Sequence, residues 1–171
     1  MTTSWMARCV AVLGAVLVLA GLVGCDASPK AYDIEVSIDP ELKSFTVPVD
    51  IVGVNNNADL PGWSAYEVDK YFSANDAKRA GAVKSEMRFV PGGPDQKTLS
   101  ASDPIWGEGK WNKPTSIVIF AQIPQYAGDR GGADERRKVL PTMSDSWQDS
   151  KIRVVVKRSG LQVLTMQKKK S

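Results

Sequence analysis

No histidine occurs anywhere in the 171-residue sequence. That absence removes Ser-His-Asp and Cys-His nucleophilic catalysis, histidine-ligated zinc and an imidazole pH switch. Charge of one sign is also scarce: 22 Lys+Arg against 19 Asp+Glu give a net +3, without the basic excess of a dedicated nucleic-acid binder. Cysteine is limited to Cys9 and Cys25. The longest uncharged apolar run, Cys9–Gly24, has 16 residues, short of the ~20 needed to cross a bilayer as a helix. What is present is an ordinary globular composition, 43% hydrophobic and 24% charged, with five Trp, four Tyr and four Phe to anchor a core. The length suits one domain.

The apolar run follows Arg8 and has the length and flanks of a signal-peptide core. It ends Leu22-Val23-Gly24-Cys25, which resembles a bacterial lipobox: an apolar residue, two small or apolar residues for the peptidase groove, and a thiol that takes diacylglycerol. The resemblance implies cleavage before Cys25, further N-acylation there, and loss of Cys9 with the signal. Two or three acyl chains anchor a protein stably where one does not. Residues 1–24 are then the signal, 25–31 a lipidated tether, 32–166 the folded domain and 167–171 a basic tail. The remaining 147 residues, 21 Lys+Arg and 19 Asp+Glu, contain no disulfide, so a packed core must supply the stability.

Within the domain, strands dominate. Tyr32–Asp39 alternates apolar and polar at period two, and Phe45–Val54 does so again, with Pro48 marking an edge strand or bulge. Ser64-Ala65-Tyr66-Glu67 has the form of a capping box opening a helix over about residues 65–72, and Ser73–Arg79 restarts a second short turn. Ala82–Phe89 is a strand candidate closed by the turn Pro91-Gly92-Gly93-Pro94, and Thr98–Ser102 is weakly extended. Thr115–Ile123, apolar, β-branched and bounded by prolines, reads as a buried central strand. Gln125–Val139 reads as a long polar loop, and Lys151–Arg158 with Leu161–Met166 as a hairpin. The expected architecture is mainly β, a small β-sandwich with one short inserted helix.

Chemistry-bearing candidates are few. Asp103 and Glu108 flank Trp106 in the manner of a sugar-binding site, and paired carboxylates could serve a glycan hydrolase. Gly92-Gly93 with Lys97 lacks a phosphate-loop pattern, and Asp129, Asp134 and Glu135 lack calcium-loop spacing, so no metal or nucleotide cofactor is expected. Trp106 and Trp111 lie in Gly- and Pro-rich sequence, where an exposed ring could bind a partner protein, a glycan or the cell wall. Lys168-Lys169-Lys170 could touch anionic lipid.

The order of elements resembles the outer-membrane lipoprotein family of the type VI secretion membrane complex. The shared elements are the lipobox, a first strand, a second strand containing Pro48-Val49, a short helix with Tyr71-Phe72, the Pro91-Gly92 turn, the buried strand Ile117–Ile123, and Trp147 before the last hairpin. This resemblance implies a transthyretin-like sandwich with an added helix and no enzymatic activity. It implies an adaptor in an envelope-spanning complex, facing the periplasm and binding an inner-membrane partner through the loop between its first two strands, here Asp39, Pro40, Glu41, Leu42, Lys43 and Ser44. The segments Pro104–Pro114 and Tyr126–Pro141 are additions to the family pattern, and the second offers a further contact loop. Asp26, directly after the lipid cysteine, resembles an inner-membrane retention signal, whereas the family is sorted outward; both membranes stay open.

Overall fold

The alternation in Tyr32–Asp39 becomes β1 (Asp33–Ile38), which buries Ile34, Val36 and Ile38 and leaves the intervening residues half-buried. The computed structural model describes residues 27–124 and 134–169. Beyond β1 the strands are β2 (Val47–Val54), β3 (Lys84–Phe89), β4 (Gln96–Leu99), β5 (Ser116–Ala121), β6 (Arg137–Pro141), β7 (Lys151–Lys157) and β8 (Gly160–Val163). They form two four-stranded sheets in the orders β4-β1-β7-β8 and β3-β2-β5-β6. All pairings are antiparallel except β1 with β7, where Ile34 sits beside Ile152. The inner faces meet in one core. Ile34, Val36, Ile152 and Val154 come from the first sheet, and Val47, Val49, Ile51, Ile117 and Ile119 from the second. The expected β-sandwich is therefore the observed fold.

The second sheet is covered on its outer face as well. Three short helices, α1 (Leu60–Ser64), α2 (Val68–Tyr71) and α3 (Ala77–Gly81), lie between β2 and β3 in the chain. A smaller cluster of Val52, Val54, Val68, Tyr71, Val118 and Phe120 seals them to the sheet. Tyr71 stacks on Phe120 with ring centroids 4.1 Å apart and planes 10° from parallel. Period two in a strand splits the even and odd residues of β2 and β5 between these two cores, and so every residue of β5 is buried. The continuous apolar run of β5 is the sequence form of a strand packed on both sides.

Four local expectations are corrected. The single helix expected over residues 65–72 is only the four-residue α2, and a separate α1 ends before it, with residues 65–67 between them non-helical. The Ser64 hydroxyl donates to the Pro61 carbonyl of its own helix, and Glu67 adopts extended backbone, so no capping box forms. The break lets Trp63, Tyr66 and Tyr71 pack together on one sheet face, with Tyr71 edge-on to both others. Tertiary packing outweighs the local signal. Pro48 lies in a central strand. Its carbonyl accepts from Gln122 N at 2.9 Å, one residue past the last pair of β5, so its missing N–H falls where that ladder ends. The polar segment expected to run as a loop to Val139 becomes strand at Arg137, pairing with β5 as an edge; residues 125–133 lie outside the described residues. The chain is also tied to the domain earlier than residue 32: Ser144 N donates to Ser28 O, and Lys30 N to Thr142 O.

Candidate binding surfaces

The segment joining β1 to β2 is a folded cap. Asp39 accepts a hydrogen bond from Glu41 N at 3.1 Å and opens a 3-10 turn over Pro40–Leu42, where proline's fixed φ suits the first position. Leu42 is fully buried and plugs the end of the sandwich core, while Glu41, Lys43 and Ser44 stay exposed. Glu41 pairs with Arg158 of the β7–β8 turn at 3.3 Å, and Lys43 pairs with Asp95 of the β3–β4 loop. Arg158 also sits 5.6 Å from the centroid of the Phe45 ring. Three loops thus converge at one end, their exposed charges fixed from beneath by an apolar anchor. Exposed pairs of this kind contribute ~0–1 kcal/mol each, so a partner can replace them at little cost.

Trp106 and Trp111 do not join this surface. They are 5% and 1% exposed and meet edge to face with centroids 5.0 Å apart. Asp103 caps a second 3-10 turn, Pro104–Trp106, by accepting from Ile105 N at 2.8 Å, which directs Ile105 and Trp106 inward. Each indole N–H has a backbone acceptor, Trp106 on Ser100 O and Trp111 on Val83 O. The reading of Trp106 and Trp111 as exposed partner- or glycan-binding anchors is corrected: buried, satisfied rings offer a ligand no face. The missed signal was Gly53, a glycine inside a β-branched strand. A Cβ there would lie 2.7 Å from two ring carbons of Trp111, so the indole packs directly on bare backbone. Asp103 is engaged as the cap of this turn, and Glu108 is exposed.

The charged residues that the sequence did not reveal lie beside the helical layer. A cleft of about 660 Å³ is lined by, among others, Asp50, Asp69, Phe72, Arg79, Glu86, Arg88 and Arg136. Asp50, 1% exposed in the middle of β2, accepts from the Tyr71 hydroxyl at 3.0 Å and from Arg79 Nε at 2.8 Å. Burial first, and then the Asp50 carboxylate, push the Tyr71 phenol far above its ordinary range. The hydrogen bond to Asp50 raises Arg79 further. Arg136, also buried, forks between Asp134 on its own segment and Asp69 of α2, with contacts of 2.6–3.1 Å. Burial alone would lower Arg136, but the hydrogen bonds it donates to Asp69 and Asp134 outweigh that and push the guanidinium up. Glu86 pairs with Lys84 at 3.1 Å. All three carboxylates of the cleft have a cation partner, and the Asp50–Arg79 and Asp69–Arg136 pairs tie the helical layer to the sheet side. The cue was Asp50 itself, a carboxylate at a strand position whose pleat neighbours are apolar.

Behind this cleft the Tyr66 hydroxyl donates to Asp76 at 2.6 Å, a bond that raises the phenol to about 12. Lys78 lies over the Trp63 and Tyr66 rings and is lowered by burial. Among the described residues no group of three His, Cys, Asp or Glu is arranged to hold a metal, and no helix is long and apolar enough to cross a membrane. Cys25 and Asp26 lie outside the described residues.

The structure matches the C-terminal domain of the type VI secretion protein TssM from EAEC, with a TM-score of 0.52 and 13% identity over 78% of this chain and 99% of that one. A chain of a type VI membrane complex matches with a TM-score of 0.50 and 14% identity, over 79% and 98%. The chain shares its fold with these two type VI secretion chains. Lip from Serratia marcescens, a membrane-bound component of the type VI secretion system, overlaps 84% of this chain and 99% of its own at 13% identity and a TM-score of 0.49. At these identities the likeness is one of fold. No protein-family model and no curated protein matches the sequence.

Proposed function

We propose that the chain is a lipid-anchored, noncatalytic binding subunit of an envelope-spanning complex of the type VI secretion kind. The fold shared with type VI membrane-complex chains carries this reading. Two features of the chain support it: the Leu22-Val23-Gly24-Cys25 sequence, and a loop end whose exposed charges rest on a buried plug. Residues 1–24 are the signal, Cys25 takes the acyl chains, and 32–166 form the binding domain on the periplasmic side. Residue 26 is the position that sorts it between the two membranes. The lipid confines the domain to one surface, raising the effective concentration of a partner in the same envelope without any new contact.

Asp39–Ser44 is the proposed contact, because it presents charge from a rigid base and rigid loops lose little freedom on binding. The test is affinity purification of the tagged full chain from envelopes, compared with the Glu41→Arg/Lys43→Asp double variant. Both side chains are exposed, so the far-UV circular dichroism spectrum should be unchanged. A membrane-embedded secretion component should copurify with the native chain and be reduced at least tenfold with the variant. Equal recovery with both would remove this loop as the contact.

A further inference from the structure

The two ends of the described chain meet at the end of the sandwich opposite the Asp39–Ser44 loop. Ser28 and Lys30 are hydrogen-bonded to residues 142–144, and Lys168 N donates to Ser146 O at 2.9 Å. Gln167 bridges to Trp147, a buried residue, so the C-terminal segment is pinned rather than frayed up to that point. A depression at this end is lined by residues including Ala27, Asp145, Lys168 and Lys169. Just before Gln167 in the chain stand Leu164 and Met166, 50% and 67% exposed, the two most exposed large apolar side chains among the described residues. Val83 and Val90 are smaller and less exposed, at 46% and 43%.

We infer that Leu164, Met166, Lys168 and Lys169 form a docking surface for an anionic bilayer, on the same face from which the anchor leaves the domain. This inference rests on the lipid-anchor reading of Cys25. Two residues separate Cys25 from Ser28, the first described residue hydrogen-bonded to the folded domain, and the three Cα steps reach at most about 10 Å. So short a link holds this end of the sandwich against the membrane surface, with the lysines inside about one Debye length of the headgroups. Apolar side chains interleaved with lysines suit the headgroup boundary, where the first enter the acyl edge and the second pair with anionic lipid. Asp145 is the opposing charge at the rim, and Lys30, whose ammonium lies 5.1 Å from the Tyr32 ring centroid, offsets it. The geometry also orients the domain. β1 runs from this end toward the Asp39–Ser44 loop over about 20 Å, so docking points that loop away from the membrane, toward a partner.

The experiment uses the processed, lipidated chain in vesicles of phosphatidylcholine alone or mixed with an equal part of phosphatidylglycerol. A nitroxide is placed at Met166→Cys or, as the far-end control, at Ser44→Cys. On anionic vesicles the label at 166 should become several-fold less accessible to a water-soluble relaxant, while the label at 44 stays accessible on both. Lys168→Gln/Lys169→Gln should shift the docked-to-free ratio by about twenty-five-fold, five per lysine. Equal water accessibility at 166 on both vesicle types overturns the docking surface. Intact mass reports the acyl groups on Cys25 separately, so a chain without them overturns the anchor on which the surface depends, and the two failures are distinguishable.

Discussion

Gly53→Ala should be destabilising in the native chain and harmless once Trp111 is removed. The added Cβ would stand 2.7 Å from Cδ1 and Cδ2 of the indole and closer still to Cγ, where ordinary contact begins at 3.4 Å. The ring must therefore retreat by at least 0.7 Å. It has little room to do so, being 1% exposed, edge-on to Trp106 at 5.0 Å, and hydrogen-bonded through Nε1 to Val83 O at 2.8 Å. Overpacking of this kind costs about 1–3 kcal/mol. Weakening the buried indole hydrogen bond adds about 1 kcal/mol. The lower chain entropy of alanine returns about 0.5–1 kcal/mol. The net expectation is a loss of about 2–3 kcal/mol. Trp111→Ala alone should cost about 3–5 kcal/mol, from lost burial and the cavity left behind. In that background the clash with the indole is gone, and the Gly53 methyl should stabilise by about 0.5–1 kcal/mol, a change of sign. Urea unfolding followed by far-UV circular dichroism on the four corners of the cycle measures the coupling, expected near 3 kcal/mol. Equal effects of Gly53→Ala in both backgrounds would refute the close approach of Trp111 to β2, and with it the placement of the Pro104–Pro114 segment.

Two further outcomes follow from the charge networks around the cleft. Arg79→Ala leaves Asp50 buried with only the Tyr71 hydroxyl, and should cost about 2–4 kcal/mol in urea unfolding because one member of a buried pair is removed; a loss below 1 kcal/mol would show that water satisfies Asp50 instead. The Arg136 hydrogen bond holds the Asp69 carboxyl below its ordinary 3.8, so its contribution is fully present above about pH 4 and is lost as pH falls through the lower folded value. Asp69→Asn should flatten that part of the stability-versus-pH curve, measured as urea midpoints across the acid range, and an unchanged slope would count against the Asp69–Arg136 pair. With no histidine, no imidazole step should appear between pH 5 and 8.

Strand identity was legible wherever alternate side chains line the sandwich core. Ile34, Val36 and Ile38 show it in β1, Val47, Val49 and Ile51 in β2, and the unbroken run of β5 announced burial on both sides. The helical layer was less legible. Four-residue helices such as α2 exist through the seat that Tyr71 finds on Phe120, and the capping residues around Ser64 could not reveal that seat. Charge was misleading in the opposite sense. The density of Arg and Asp near residue 136 read as a solvated loop, yet Asp134 and Arg136 are buried because each satisfies the other and Asp69 completes the fork. A polar segment becomes strand when its charges arrive in pairs, and pairing across the fold leaves no local trace.

Periodicity determined that the chain is a strand-rich sandwich, because a two-residue repeat sorts side chains to opposite faces of a strand, and composition alone excluded histidine chemistry. It did not determine which strands share a sheet, that Trp106 and Trp111 face inward, or that Ser28 and Lys168 meet at one end. Those depend on contacts between residues far apart in the chain, Gly53 with Trp111 and Ser146 with Lys168, which form when two sheets close on each other. The tertiary structure decided them because burial of a tryptophan needs a partner surface of the right shape, here a strand with no side chain at residue 53.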